Sequence, residues 1–196
     1  MNYLAHIFLS GNQQSVQIGS FIADFVKGKQ LYTYPTEIQQ GIILHRKIDT
    51  FTDEHPLVCE LNSLLKPSFG RYSPIILDMY FDYLLAKSFH HYSPNKSLLL
   101  FSRQFYGYLI RHYSLLPIRV KRFVFHFMIT NRLYQYKSIQ GLYNSLHIMS
   151  VYKTDAINPS HSIEFLQEHE ELLEKQFQQF FTDILQFTAA ERLKTE

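Results

Sequence analysis

The chain has 196 residues, of which 46% are hydrophobic and 18% are charged, with only 7 Gly and 7 Pro. This composition excludes disordered, collagen-like and linker-rich proteins, and it predicts a single compact domain over residues 1–196 with its own hydrophobic core. One cysteine, no signal-peptide pattern and no apolar run of ~18 residues predict a soluble cytoplasmic protein with no membrane span.

The net charge of +2 is distributed unevenly along the sequence. Residues 83–154, called here the acid-free segment, contain ten Lys or Arg residues and no Asp or Glu. Residues 1–82 carry six basic and eight acidic residues, and residues 155–196 carry three and nine. The acid-free segment therefore predicts a positive surface for an acidic partner or a polyanion, unless the acidic ends of the chain fold back and neutralise it.

Apolar residues that recur every three or four positions, with few Gly or Pro between them, predict helices along most of the chain. In chain order, the predicted helices are residues 15–26, 35–53, 73–89, 97–113, 117–134 and 138–152. A last amphipathic helix has apolar residues at a spacing of seven, namely Leu166, Leu173, Phe180 and Phe187. The predicted fold class is all-α.

Turn residues mark the ends of the first three predicted helices. Gly28 follows the first helix, at the usual position of a left-handed cap. Pro35 begins the second helix, because proline suits a first turn. Ser73 is expected to be the N-cap of the third helix, with Pro74 at its first helical position.

Acidic residues inside apolar helices are the unusual feature of the first half of the chain. Asp24 lies in the apolar run of residues 21–26, where a carboxylate is costly unless it is paired or bound to a cation. His45, Asp49 and Asp53 follow one another at a spacing of four, which predicts one helix face with neighbouring Cβ atoms ~5–6 Å apart. An imidazole and a carboxylate at that spacing can share one ion.

Further polar residues extend this set. Asp78 and Asp82 are again four residues apart, and two acids one turn apart repel each other unless a positive group lies between them. His6 offers another nitrogen donor near the start of the chain. Arg46, one step round the helix from His45, is placed to meet a phosphate.

His and Asp side chains without a thiolate favour Mg²⁺ or Mn²⁺ over a structural zinc ion. Such an ion activates water and neutralises charge on phosphoryl oxygens. From spacing alone, buried ion pairs among Asp49, Asp53, Arg46 and Lys47 are an equally good interpretation. The sequence lacks nucleophile-elbow, phosphate-loop, dinucleotide and paired-cysteine motifs, and the single Cys59 is expected to be a core residue rather than a nucleophile.

Four blocks in the first ~90 residues resemble the bacterial acyl-carrier-protein phosphodiesterase family, in the right order. They are Met1-Asn-Tyr-Leu-Ala-His6, Gly19-Ser-Phe-Ile-Ala-Asp24-Phe-Val-Lys-Gly28, Gly41-Ile-Ile-Leu-His45-Arg46-Lys-Ile-Asp49-Thr-Phe-Thr-Asp53 and Ser73-Pro-Ile-Ile-Leu-Asp78-Met-Tyr-Phe-Asp82-Tyr-Leu. The remainder resembles the family in length and helical character.

The resemblance implies an all-helical fold like that of the HD phosphohydrolases, of which this family is a divergent branch. It also implies hydrolysis of the phosphodiester that joins 4′-phosphopantetheine to a serine of holo-acyl carrier protein, with Mn²⁺ or Mg²⁺ as the cofactor. The adjacent His-Asp pair of the wider superfamily is replaced here by His45-Arg46, so that Asp49 or Asp24 is expected to supply the carboxylate.

These arguments lead to one set of expected site residues. The expected metal ligands are His6, Asp24, His45, Asp49 and Asp78, with Asp53 and Asp82 in supporting or second-metal roles. Asp24, His45, Arg46 and Asp49 are the expected catalytic residues. Because acyl carrier proteins are small and acidic, basic residues of the acid-free segment are expected to dock one. They are Arg103, Arg111, Arg119, Lys121, Arg122 and Arg132.

Two other functions remain open at this stage. One is an HD-type phosphohydrolase that acts on a nucleotide or another small phosphoester at the same site. The other is a non-enzymatic helical module whose acid-free segment holds nucleic acid or an anionic membrane. The favoured interpretation has an acidic protein substrate and no nucleic-acid partner, and it does not specify an oligomeric state.

Overall fold

The computed structural model describes residues 1–152 and 157–194, which form α-helices and short 3₁₀ turns without any strand. The prediction of an all-α fold is therefore confirmed. The α-helices are α1 (Tyr3–Leu9), α2 (Gln14–Ile22), α3 (Thr36–Glu54), α4 (Pro56–Phe69), α5 (Ser73–Lys87), α6 (Phe89–Tyr92), α7 (Leu98–Arg111), α8 (Ile118–Lys121), α9 (Val124–Ile129), α10 (Arg132–Gln135), α11 (Ile139–Tyr152), α12 (Pro159–Glu168) and α13 (Glu170–Leu193). The 3₁₀ turns are Ala23–Phe25, Gly28–Thr33, Gly70–Tyr72 and Tyr113–Leu115.

One hydrophobic core joins these helices from α1 to α13, as expected for a single compact helical domain. Aromatic side chains supply much of it. The Phe21 ring lies 5.3 Å from that of Phe105 and 5.4 Å from that of Phe127, measured between centroids. Such aromatic pairs link α2 to α7 and α9, so the first helices and the acid-free segment share one core.

Helices α2 and α3 approach each other closely through two glycines. A Cβ atom on Gly19 would lie 2.1 Å from the carbonyl oxygen of Ile38, and one on Gly41 would lie 2.1 Å from that of Val16. No larger residue fits at either position without moving a backbone. This contact fixes α2 against the first turns of α3.

Helix α5 is central, because it packs against α1, α4, α11 and α13. It is buried on nearly all sides, and Tyr80 and Phe81 are fully buried. A helix that is apolar all round belongs in an interior. Its two acidic residues, Asp78 and Asp82, therefore lie on a helix that is buried on nearly all sides.

Two predicted helices are interrupted in the structure. Residues 117–134 form three short helices instead of one, and Asn131 between α9 and α10 has a left-handed backbone with φ 48°. The last predicted helix is divided at His169 into α12 and α13. None of the three breaks contains Gly or Pro, and the one local signal is Asn131, because Asn tolerates the left-handed region.

Three local predictions are wrong. Gly28 has a left-handed backbone, but it begins the 3₁₀ turn Gly28–Thr33 and does not cap the first predicted helix, because α2 already ends at Ile22. Ser73 is not an N-cap, because the turn Gly70–Tyr72 runs directly into α5 and the Ser73 hydroxyl donates a hydrogen bond to the carbonyl oxygen of Gly70, 2.7 Å away. Cys59 is exposed on α4 rather than buried in the core. Helices α1 and α4 were not among the predicted helices.

The length and polarity of the helices also bear on membrane insertion. Across residues 1–152 and 157–194, no helix combines the length and the apolar character that crossing a membrane would require.

Candidate metal centre

Two buried histidines and one aspartate meet where α1 packs against α3. The rings of His6 and His45 are stacked, with centroids 3.7 Å apart and planes inclined by 18°. Asp49 lies one turn beyond His45 on α3 and faces both rings. Its Oδ1 is 3.0 Å from His6 Nε2, and its Oδ2 is 3.1 Å from His45 Nε2. One carboxylate therefore spans two imidazoles.

Asp82 holds α1 in the position that brings His6 into this cluster. Its two carboxylate oxygens accept hydrogen bonds from the backbone N–H groups of Leu4, at 2.8 Å, and Ala5, at 3.0 Å. These groups lie in the first turn of α1 and have no partner within the helix. Asp82 is fully buried, so it joins α1 to α5 and is not in contact with the two imidazoles.

Asp24 approaches the cluster from the solvent side. It lies in the 3₁₀ turn Ala23–Phe25 after α2, its Oδ1 is 3.4 Å from His45 Nε2, and 70% of its side chain is exposed. Arg46 donates a hydrogen bond through Nη2 to the carbonyl oxygen of Val26, 2.9 Å away. Arg46 therefore fastens the turn that carries Asp24 to α3.

Asp78 lies beside the cluster on α5. Its Oδ1 is 3.0 Å from the α-amino nitrogen of Met1, which is also 3.9 Å from Asp49 Oδ1. Burial raises the pKa of Asp78, although the neighbouring ammonium group opposes this. Asp53 is exposed one turn beyond Asp49. The cluster thus already holds one positive group between two carboxylates.

The two histidines differ strongly in their affinity for protons. Burial and the charge of His45 lower the pKa of His6 to about 3. Burial alone would lower the pKa of His45, but Asp24 and Asp49 raise it to about 9. Burial opposes ionisation of Asp49, yet His45 and His6 hold its pKa well below the usual value. Near pH 7 and without a metal, His6, His45 and Asp49 are therefore a neutral imidazole, an imidazolium and a carboxylate, with the carboxylate of Asp24 beside them.

The donor atoms of this cluster suit a divalent cation. The candidate ligand atoms of His6, His45 and Asp49 all lie within 4.8 Å of one another, and no other such trio was found among the described residues. Both ring nitrogens of His6 and Nδ1 of His45 are buried there without a hydrogen-bond partner, although His6 Nε2 lies 3.0 Å from Asp49 Oδ1. Unpartnered buried nitrogens next to a carboxylate are the groups that a bound ion would satisfy.

The structure thus brings together four of the five expected metal ligands, His6, Asp24, His45 and Asp49, and places Asp78 at their edge. No pattern in the sequence indicates that the α-amino group of Met1 lies there. The sequence signal for the site is an isolated polar residue within a short apolar block, as at His6.

The six basic residues expected to dock a carrier protein do not form one patch of equivalent side chains. Arg111 donates to Gln14 Oε1, Lys121 donates to the carbonyl oxygen of Ser114, and half-buried Arg132 hydrogen-bonds the Tyr136 hydroxyl. The other three are exposed, and one of them, Arg119, lines the same groove as Asp24. They are Arg103, Arg119 and Arg122.

Comparison with known proteins gives a consistent picture. The sequence profile described as "Acyl carrier protein phosphodiesterase" matches residues 1–184. A relative of that name in Enterobacter sp. (strain 638) is 32% identical over 184 residues, covering 92% of this chain and 94% of the relative. Those in Pectobacterium atrosepticum and Yersinia pestis are both 29% identical, over 98% and 94% of this chain and 100% and 96% of their own lengths. No solved structure matched the chain, so the expected likeness to HD phosphohydrolases stays a prediction.

Proposed function

Because the chain belongs to the acyl carrier protein phosphodiesterase family, we propose that it hydrolyses the phosphodiester between 4′-phosphopantetheine and a serine of holo-acyl carrier protein. The products would be apo-acyl carrier protein and free 4′-phosphopantetheine. The observation that carries the proposal is the carboxylate of Asp49, whose two oxygens face Nε2 of His6 and Nε2 of His45 while the two rings stack on each other.

The proposal includes Mn²⁺ or Mg²⁺ at this cluster, held by His6, His45 and Asp49, with Asp24 as a further ligand or a neighbour. A bound divalent ion supplies activated water and neutralises charge on phosphoryl oxygens. His45 would bind such an ion in its neutral form, so its ring would first have to lose a proton to solvent. His6 is already neutral and needs no such change.

Asp24 is the residue placed to move the proton. Hydrolysis removes a proton from water as oxygen bonds to phosphorus, and it returns a proton to the serine oxygen as the phosphorus–oxygen bond breaks. Asp24 is the exposed carboxylate of the cluster, and its Oδ1 lies 3.4 Å from His45 Nε2, so it is next to the expected ion position and open to solvent and substrate. Asp49 keeps both rings in position.

Arg46 contributes through its contact with Val26, which fixes the turn that carries Asp24. We also propose that the enzyme is cytoplasmic and that its substrate is the carrier protein of fatty acid synthesis. The single free cysteine, Cys59, is compatible with a reducing compartment.

The test is mass spectrometry of holo-acyl carrier protein after incubation with the protein and Mn²⁺. We expect loss of the 4′-phosphopantetheine mass, and no loss with EDTA or with Asp49→Ala. Lys66→Ala on the exposed side of α4 is the matched control and should act like the wild type. An unchanged carrier, with protein that is folded and has bound Mn²⁺, would contradict the proposal and favour a small phosphoester as substrate.

A further inference from the structure

A groove opens beside the metal cluster, with Asp24 in its lining. Phe25, Lys27, Gln30, Thr33 and Tyr34 line one side, and the other side comes from the start of α8. Its volume is about 630 Å³. A space of this size accommodates a sizeable part of a ligand rather than a single ion. We refer to it as the Asp24 groove.

The other side of the Asp24 groove belongs to the acid-free segment. Pro117, Ile118 and Arg119 line it, and Ile118 is 68% exposed. Lys27 and Arg119 are exposed basic residues on opposite sides, and Asp24 is the one acidic residue in the lining. The surface around the site therefore combines positive charge with exposed apolar side chains.

The acidic parts of the chain leave most of this positive charge free. Of the basic residues in the described part of the acid-free segment, Lys87 is the one that forms an ion pair, with Glu170 and Glu174 on α13. The alternative in which the acidic ends neutralise the segment thus applies at Lys87 alone within residues 83–152. Lys153 lies outside the described residues.

The chemistry of the proposed reaction limits where its protein substrate can bind. The phosphodiester is attached directly to a serine side chain, so the surface of the carrier protein must come within a few bond lengths of the cluster. A docking surface remote from Asp24 would hold the phosphorus away from the catalytic groups. The Asp24 groove adjoins the cluster, whereas Arg111 and Lys121 are held by other contacts.

We propose that the Asp24 groove is the docking surface for the acidic face of the carrier protein, with Lys27 and Arg119 as its charged contacts and Ile118 as its apolar contact. This inference rests on the proposed function for the identity of the partner. The inference replaces the six basic residues expected to dock the carrier with two charged contacts. One of them, Lys27, lies outside the acid-free segment. Charge pairing of this kind speeds encounter and selects the partner.

Two measurements on one set of variants test this. The first is binding of fluorescently labelled apo-acyl carrier protein, followed by anisotropy, and the second is steady-state hydrolysis of holo-acyl carrier protein. For Lys27→Glu/Arg119→Glu we expect binding to weaken at least about tenfold and KM to rise by a similar factor, with a smaller change in kcat. Lys66→Glu reverses one charge on exposed α4 and should bind as the wild type does.

The outcomes separate the inference from the proposed function. Loss of binding in the double variant alone, with the conservative Lys27→Arg/Arg119→Lys variant retaining it, supports the docking surface even if no carrier is cleaved; absence of cleavage then counts against the proposed function only. Equal binding by wild type, double variant and Lys66→Glu overturns the docking surface, whether or not cleavage occurs. Thermal unfolding of each variant confirms that it is folded.

Discussion

The candidate metal centre, called the cluster, and the acid-free segment use polar residues in opposite ways. In the cluster, His6, His45 and Asp49 come from two helices, the carboxylate of Asp49 lies 3.0 Å from His6 Nε2 and 3.1 Å from His45 Nε2, and both rings are buried. In the acid-free segment, exposed basic residues such as Arg103 and Arg122 lie on different helices or turns. The first region concentrates charge in the interior, and the second displays it at the surface.

This difference predicts different responses to substitution. Buried charged groups depend on each other, because removal of one leaves its partners buried and unpaired. Exposed charges act on a partner together and on stability very little. Changes in the cluster should therefore have large effects, and changes at the exposed surface should have small and graded ones.

The largest effect is expected for Asp49→Ala. It removes the carboxylate that spans both imidazoles, so turnover of holo-acyl carrier protein should fall by more than about 10³-fold. Mass-spectrometric time courses measure this. A variant that keeps even a tenth of the wild-type rate would show that the cluster is not the catalytic centre.

Metal binding should stabilise the folded protein through the same cluster. At a Mn²⁺ concentration of about 100 Kd, the free energy of unfolding should rise by about 2.7 kcal/mol relative to protein in EDTA. Urea unfolding measures the difference. In His45→Ala the rise should vanish, and an equal rise in that variant would place the ion elsewhere.

Asp82→Ala should destabilise the protein without touching the imidazoles. The substitution leaves the N–H groups of Leu4 and Ala5 unpaired in the interior, which costs about 2 kcal/mol. For a chain of this length, the midpoint of thermal unfolding should fall by about 4–8 °C. An unchanged midpoint would mean that Asp82 does not anchor α1.

The pH dependence of stability provides a second test of Asp82. Burial raises the pKa of Asp82 to about 7, against the hydrogen bonds from Ala5 and Leu4. The folded state therefore binds the proton more tightly than the unfolded state, and this contribution to stability is lost as the pH rises from about 4 through 7. In metal-free protein, Asp82→Asn should remove that part of the slope, measured as urea midpoints of both proteins between pH 4 and 8. Parallel curves would contradict the assignment.

The smallest effect is expected for Lys87→Ala at the surface. Lys87 pairs with Glu170 and Glu174, but all three side chains are partly exposed. Exposed ion pairs contribute at most about 1 kcal/mol, so the midpoint of unfolding should change little. A loss as large as that of Asp82→Ala would mean that the two regions do not differ as described.

The two regions also differ in how far the sequence predicts them. The second predicted helix matches α3 closely, because its apolar periodicity and Pro35 are local signals. The spacing of His45 and Asp49 predicts their shared face for the same reason. Residues 117–134 were predicted poorly, because the breaks between their three short helices contain no Gly or Pro, and Asn131 with its left-handed backbone is the one local sign of them.

Long-range contacts explain what the sequence could not show in the site itself. The carboxylate of Asp82 caps α1, although Asp82 and Leu4 are 78 positions apart in the sequence. No periodicity reveals a contact over that separation. The stacking of His6 on His45 similarly requires α1 and α3 to be packed together. Family resemblance placed these residues in one site, but their individual contacts came from the fold.

The central claim is that His6, His45 and Asp49 form a divalent metal site. Anomalous diffraction at the manganese edge from crystals grown with Mn²⁺ tests it most directly. The account predicts a peak in contact with Nε2 of both histidines and with the carboxylate of Asp49. A Mn²⁺ peak elsewhere in the molecule, with the two rings still set against Asp49, would contradict it.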